Sequence, residues 1–194
     1  RQTIDKVKFE AAIKSLQDAL GVLPSQQSVL MSAPNIIPPE QWQRRQEVYE
    51  EMMKLQELAE QLNLKDQIQI EVTDVGMLIR MGDQVLFDLG KADLKMEARP
   101  ILDIIARTIR YEAGEVLVSG HTDNLPIRTA QFPSNWELST ARALNVVKYF
   151  IDFSKVPPNI LAATGYSEYR PVAPNDSPEN RQKNRRVEFL VTWR

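Results

Sequence analysis

"EVLVSGHTDNLPIRTAQFPSNWELSTARA", residues 115–143, is the stretch that decides the fold. Its first six residues form a short apolar run closed by glycine, the mark of a buried central strand. Its far end has helical apolar spacing from Trp136, and Ser134-Asn135-Trp136-Glu137 fits a capping box. In that box Ser134 accepts from the Glu137 amide while the Glu137 carboxylate reaches back to the Ser134 amide. A strand running through a loop into a capped helix is the unit from which layered α/β folds are built.

Working outward, Leu161 to Gly165 reads as a further strand, and Val187, Phe189, Val191 and Trp193 alternate as a last one. Upstream, "QIQIEVT" (67–73) alternates strictly and "MLIRM" (77–81) follows across Asp74, Val75 and Gly76, a hairpin. Leu94 to Ile109 is helical; Pro100 belongs in a first turn, so the regular part should start near Met96. The order is β-β-α-β-α-β-β, an α/β (α+β) fold with a mixed sheet and helices on one face. On the helix opened by Ser134, the spacing turns Leu138, Ala141, Leu144, Val147 and Ile151 toward the core. Asn135, Ser139 and Arg142, at i, i+4 and i+7, line another face.

Ahead of the sheet, Ile4 to Leu20 reads as an amphipathic helix with Phe9, Ile13, Leu16 and Leu20 on one side. Residues 21–39 carry four prolines and no charge, an extended connector. Glu40 to Leu62 returns to helix, with Val48, Met52, Leu55, Ala59 and Leu62 in a stripe. That stripe suits packing onto its own domain or a short coiled coil between two chains. The expected division is a helical linker over 1–64 and one domain over 65–194.

The 194 residues carry a formal net charge of −2, which disfavours a nucleic-acid partner. Cysteine is absent, so disulfides and thiol chemistry are excluded. No stretch has the roughly 18 apolar residues that span a bilayer. One histidine without cysteine makes a poor metal set, and the sequence calls for no metal and no cofactor.

Asp123 falls just past the carboxyl end of the central strand, where open α/β sheets bind ligands. An aspartate attracts an ammonium and an arginine grips a carboxylate, so Asp123 and Arg142 together complement an amino-acid zwitterion. The two could instead simply pair with each other. A glycosidase could nominate Asp123 and Glu137 as its two carboxylates, but the cap occupies Glu137. His121 fits a hydrogen-bonded strand-end residue.

These residues resemble a known family. "GHTDN", "SNWELSTARA" and "GYSEYRPVAPNDSPENRQKNRRVEF" are similar to the OmpA-like peptidoglycan-binding domain, over about Val85 to Trp193. "HTDNLPI" with "FPSNWELS", and "VLFDLGKADL" (85–94), resemble most the B subunit of flagellar stators. The resemblance implies a non-catalytic protein that binds the diaminopimelate-type stem peptide of peptidoglycan through Asp123 and Arg142. Thr122, Asn135, Leu138 and Asn175 would support them, and Arg181 and Arg185 would help shape the cleft. It further implies a homodimer, the periplasmic or extracytoplasmic portion of an inner-membrane protein, and a stator A partner reached through a transmembrane helix upstream of Arg1. Residues 1–64 would regulate channel opening and wall attachment. The competing expectation is an OmpA-family lipoprotein or secretion-system anchor; a wall-cleaving enzyme is the third.

Overall fold

The computed structural model describes residues 39–73 and 75–194, with side chains from residue 46 onward. The expected helix over Ile4 to Leu20 and the connector as far as residue 38 lie outside the described residues. The elements are α1 (Pro39–Gln61), β1 (Ile68–Val72), β2 (Gly76–Gly82), α2 (Asp83–Leu86), α3 (Arg99–Glu112), β3 (Ala113–His121), α4 (Asn135–Asp152), β4 (Leu161–Gly165), α5 (Pro178–Asn184) and β5 (Arg186–Trp193). The sequence reading finds all five strands and the three long helices within a few residues. It omits α2 and α5, each too short to show a period.

The sheet order is β1-β2-β5-β3-β4. β3 and β4 run parallel, joined by α4 as crossover, and the other pairs are antiparallel. One face of the sheet is apolar: Met77, Ile79, Met81, Val116, Val118, Val187, Phe189 and Val191 are all buried there. Ile101, Leu102 and Ile105 of α3 and Val146 and Phe150 of α4 belong to the same core. At about 25 cal/mol per Å² of apolar surface removed from water, this cluster is the main favourable contribution to folding. The opposite face carries Arg80, Glu188 and Leu190, the last 48% exposed.

α1 lays Val48, Met52, Leu55 and Ala59 into the same core, against α3, and Arg107 Nε donates to Glu51 Oε2 at 2.9 Å across the join. The stripe thus packs on its own chain. Leu62, expected to continue it, lies past the helix end and is 43% exposed. Pro100 sits in the first turn of α3, after a 3-10 turn over Met96–Ala98.

Two glycines let α4 come down onto the strand ends. A methyl on Gly120 would overlap the Ser139 carbonyl, and one on Gly165, its register partner on β4, would overlap Thr140. Only residues without a Cβ fit this contact. It brings the first turns of α4 directly over the carboxyl ends of β3 and β4.

The buried side of α4 is also different from the expected one. Ser139, Arg142, Ala143, Val146, Val147 and Phe150 are buried, whereas Leu144 is 41% exposed. Arg142 therefore lies on the inward face, continuous with the core, and the apolar stripe is rotated toward it. The helix can turn a guanidinium inward because a buried carboxylate meets it there.

Candidate functional site

The site grows from the carboxyl end of β3. Thr122 and Asp123 follow directly and are each 5% exposed. The Thr122 amide donates to Ser167 O at 2.9 Å, and Asp123 Oδ1 accepts from the Leu125 amide at 2.9 Å, which folds the loop around the carboxylate. Ser167, buried and left-handed with φ 52°, donates its amide to Ser139 Oγ at 3.1 Å, so the loop after β4 is fastened to α4.

Asn135 binds three segments together. Its Nδ2 donates to Asp123 O (3.3 Å), Leu125 O (3.0 Å) and Glu168 Oε2 (3.3 Å), and its Oδ1 accepts from the Ile127 amide (3.3 Å). The α4 cap beside it differs in detail from the capping box. Ser134 Oγ accepts from the Trp136 amide, one residue earlier than expected, and donates to Glu137. That hydrogen bond holds the Glu137 carboxyl below the usual carboxylate range.

Asp123 and Arg142 do not pair directly. Arg185 Nη1 donates to Asp123 Oδ2 at 2.6 Å, while Arg142 Nη1 donates to Asp83 Oδ2 at 2.9 Å. Arg185 Nε stands 3.8 Å from Asp83 Oδ1, so the four charges form an alternating chain Asp123–Arg185–Asp83–Arg142. Asp83 and Arg185 are tied again through the backbone, the Asp83 amide donating to Arg185 O at 3.0 Å. Burial pushes the Asp83 carboxyl up, against the opposing pull of Arg142 and Arg185. Burial likewise lowers the Arg142 pKa, with Asp83 opposing. At 2.9 Å the charged pair is the form that satisfies both groups, because a neutral Asp83 would leave a buried guanidinium uncompensated.

Arg142 is 2% exposed. Its Nε donates to Lys91 O (2.9 Å), its Nη2 reaches Asp88 O (3.5 Å), and its guanidinium lies 5.1 Å from the Phe87 ring centroid. Three of its five N–H donors are thus occupied within the chain. Arg185, with a side chain 26% exposed, is the guanidinium at the surface.

Of the residues singled out in the sequence, Thr122, Asp123, Asn135 and Arg185 come together, and Arg142 joins them through Asp83. Leu138 packs below the loops in a small cluster with Ala92 and Phe132. Asn175 and Arg181 form a neighbouring network: Asn175 Oδ1 accepts from Asn184 Nδ2 (2.9 Å) and Asn175 O from Arg181 Nη1 (3.0 Å). Buried Asn184 also takes the Val172 and Ala173 amides on its Oδ1, which orders the loop before α5. Asp83 is the member that sequence reasoning missed. Its only signal was a lone acid after glycine between two apolar runs.

His121 ends β3 with neither ring nitrogen hydrogen-bonded, contrary to the expected satisfied strand-end residue. It stacks on Tyr166 at 5.3 Å, and the Arg170 guanidinium lies over the Tyr166 ring at 3.7 Å from its centroid. Burial, then the nearby Arg186, takes its pKa from 6.5 to about 4 against the pull of Glu188, so it is neutral at pH 7. Among the described residues no group of three His, Cys, Asp or Glu side chains could hold a metal, and no helix is long and apolar enough to cross a membrane.

A match to the OmpA family runs over residues 86–185. Motility protein B of Bacillus subtilis (strain 168) is 40% identical over 129 residues, 66% of this chain and 49% of the relative. The chain spans about half the length of the motility protein B relatives it matches. The periplasmic domain of Helicobacter pylori MotB (residues 78–256) superposes with TM-score 0.58 at 32% identity, covering 65% of this chain and 82% of that one. The cell wall anchor of the T6SS from Pseudomonas aeruginosa superposes with TM-score 0.65 at 34% identity, covering 72% of this chain and 97% of that one.

Proposed function

Because the chain belongs to the OmpA family, we propose that it binds the stem peptide of peptidoglycan without cleaving it and so anchors a flagellar motor stator to the cell wall. The observation that carries this reading is the buried alternating chain of charges ending at Asp123. A diaminopimelate head group bears an ammonium and a carboxylate on one carbon. Its ammonium replaces Arg185 on Asp123; the released Arg185, with the two remaining donors of Arg142, takes the carboxylate. Every charge stays paired through the exchange, which is why a site this buried can open to a ligand. Charge-assisted hydrogen bonds contribute roughly 1.5–3 kcal/mol each. Two or three, less the bond given up, correspond to a dissociation constant of about millimolar to micromolar.

Such modest affinity suits an anchor present in many copies, and a homodimer raises it through effective concentration. In this reading residues 1–64 regulate channel opening and wall attachment in an extracytoplasmic stator portion, and the stator A subunit is met through a transmembrane helix joined upstream. α1 has its apolar stripe occupied by α3, so pairing of two chains uses another surface. The likeness to the T6SS cell wall anchor supports a second reading, the same wall-binding domain on a different tether. A transmembrane helix bearing an aspartate upstream marks the stator; a lipidated cysteine marks the alternative.

The test is co-sedimentation with purified sacculi. Wild type should pellet with them and Asp123→Asn should stay in the supernatant while still melting in one cooperative transition above the assay temperature. Equal pelleting by the two proteins would remove the support for this site, and release of soluble wall fragments would make the protein an enzyme.

A further inference from the structure

Beside the charged site stands a feature that the stem-peptide reading does not use. The rings of Trp136 and Tyr169 stack with centroids 5.5 Å apart and planes 24° from parallel. Both remain on the surface, 48% and 67% exposed, and neither belongs to an apolar cluster of the interior. The pair offers a flat apolar face, with polar atoms at its edge, on which a ligand can stack.

Its position is fixed by the site. Trp136 follows Asn135 and Tyr169 follows Glu168, and those two neighbours are joined by the 3.3 Å hydrogen bond from Asn135 Nδ2 to Glu168 Oε2. The same Asn135 holds the carbonyls of Asp123 and Leu125. The backbone under each ring is anchored as well, the Trp136 amide on Ser134 Oγ and the Tyr169 amide on Tyr166 O at 3.2 Å. The shelf and the carboxylate therefore form one rigid unit.

We propose that the Trp136–Tyr169 pair is a saccharide platform that takes a sugar ring of the glycan strand bearing the bound stem peptide. This inference rests on the stem-peptide reading above. A pyranose presents one face of C–H groups, which stacks on an aromatic ring, and a rim of hydroxyls. The Trp136 indole N–H, the Tyr169 hydroxyl and the Glu168 carboxylate supply donors and an acceptor for that rim. Connectivity keeps the sugar within reach: diaminopimelate is the third residue of the stem, and three stem residues plus the diaminopimelate side chain that ends in the gripped head group extend to about 20 Å. The muramic acid is thus tethered within reach of the shelf, which begins one residue from Asn135.

Calorimetric titration of the chain with two probes tests this: the free stem tripeptide ending in diaminopimelate, and the same tripeptide carried on its disaccharide. Wild type should bind the disaccharide-tripeptide about five- to tenfold more tightly than the tripeptide. Trp136→Ala and Tyr169→Ala should abolish that difference and leave tripeptide affinity unchanged, which also shows that they fold; Trp136→Phe should keep most of it. Asp123→Asn should weaken both probes alike. Equal affinity of wild type for the two probes, or loss of tripeptide affinity in the aromatic variants, overturns the platform alone. Failure of wild type to bind either probe overturns the stem-peptide reading together with it.

Discussion

Acid should loosen this protein through a single side chain. His121 is 2% exposed, its nitrogens have no hydrogen-bond partner, and its pKa lies at about 4, chiefly through burial. Unfolding restores the ordinary value of 6.5, so between the two the unfolded chain holds a proton that the folded one refuses. Because the folded value is the lower one, the stability is complete above about pH 6.5 and is lost as pH falls toward about 4. At about 1.36 kcal/mol per pH unit the whole interval corresponds to roughly 3 kcal/mol. About 2 kcal/mol of it has gone by about pH 5, where most exposed carboxylates are still ionised. Urea unfolding of wild type at about pH 7.5 and about pH 5 should show that fall. His121→Phe, which keeps a ring against Tyr166, should show a much smaller one. The sequence holds one histidine, so its ring-proton resonance reports the titration directly. A midpoint near the ordinary value, or parallel pH profiles for the two proteins, would refute the reasoning. Since Thr122 and Asp123 follow His121 without a gap, the same acidification should weaken the wall binding proposed above before global unfolding.

Arg142→Ala strands the buried Asp83 carboxylate and should cost about 3–5 kcal/mol in chemical denaturation. Replacing Arg142 and Asp83 together by leucine should recover much of that stability yet leave sacculus binding lost; binding by the double variant would show that the inner pair is dispensable. Gly120→Ala forces β3 and α4 apart at the Ser139 carbonyl and should lower stability by about 1–3 kcal/mol, read as a lower melting temperature. An unchanged melting temperature would mean that the helix can shift to admit the methyl.

The fold was legible wherever its cause is local. Alternation over 67–73 and 187–193 and the apolar run before Gly120 name their strands without reference to anything distant, and Ser134 announces α4. Charge placement was legible only in part, because a buried ion pair is a relation between distant positions. Asp83 stands 59 residues from Arg142, and nothing in "GDQVLF" points to a partner on another helix. Placing Arg142 on a face away from the core also rotated the helix in the reading, which is why Leu144 was assigned to the core and proved exposed. His121 was misread for the same reason in reverse: a polar ring is expected to find a partner, and this one is held by stacking. Thr122, Asp123, Asn135 and Arg185 converge, whereas Asn175 and Arg181 order the adjoining loop.

β5 follows every other described strand in the sequence yet occupies the middle of the sheet, between β2 and β3. Asp83 hangs from the end of β2, Asp123 from the end of β3, and Arg185 immediately precedes β5. Asp83 has Arg142 from α4 for a partner, but the guanidinium that pairs with Asp123 and bridges the two acids comes only with the last described strand, which slots between them. In the proposed reading a chain without β5 keeps Asp123 and Arg142 but lacks the guanidinium that joins them, so the order of assembly makes the last described strand the piece that completes the grip.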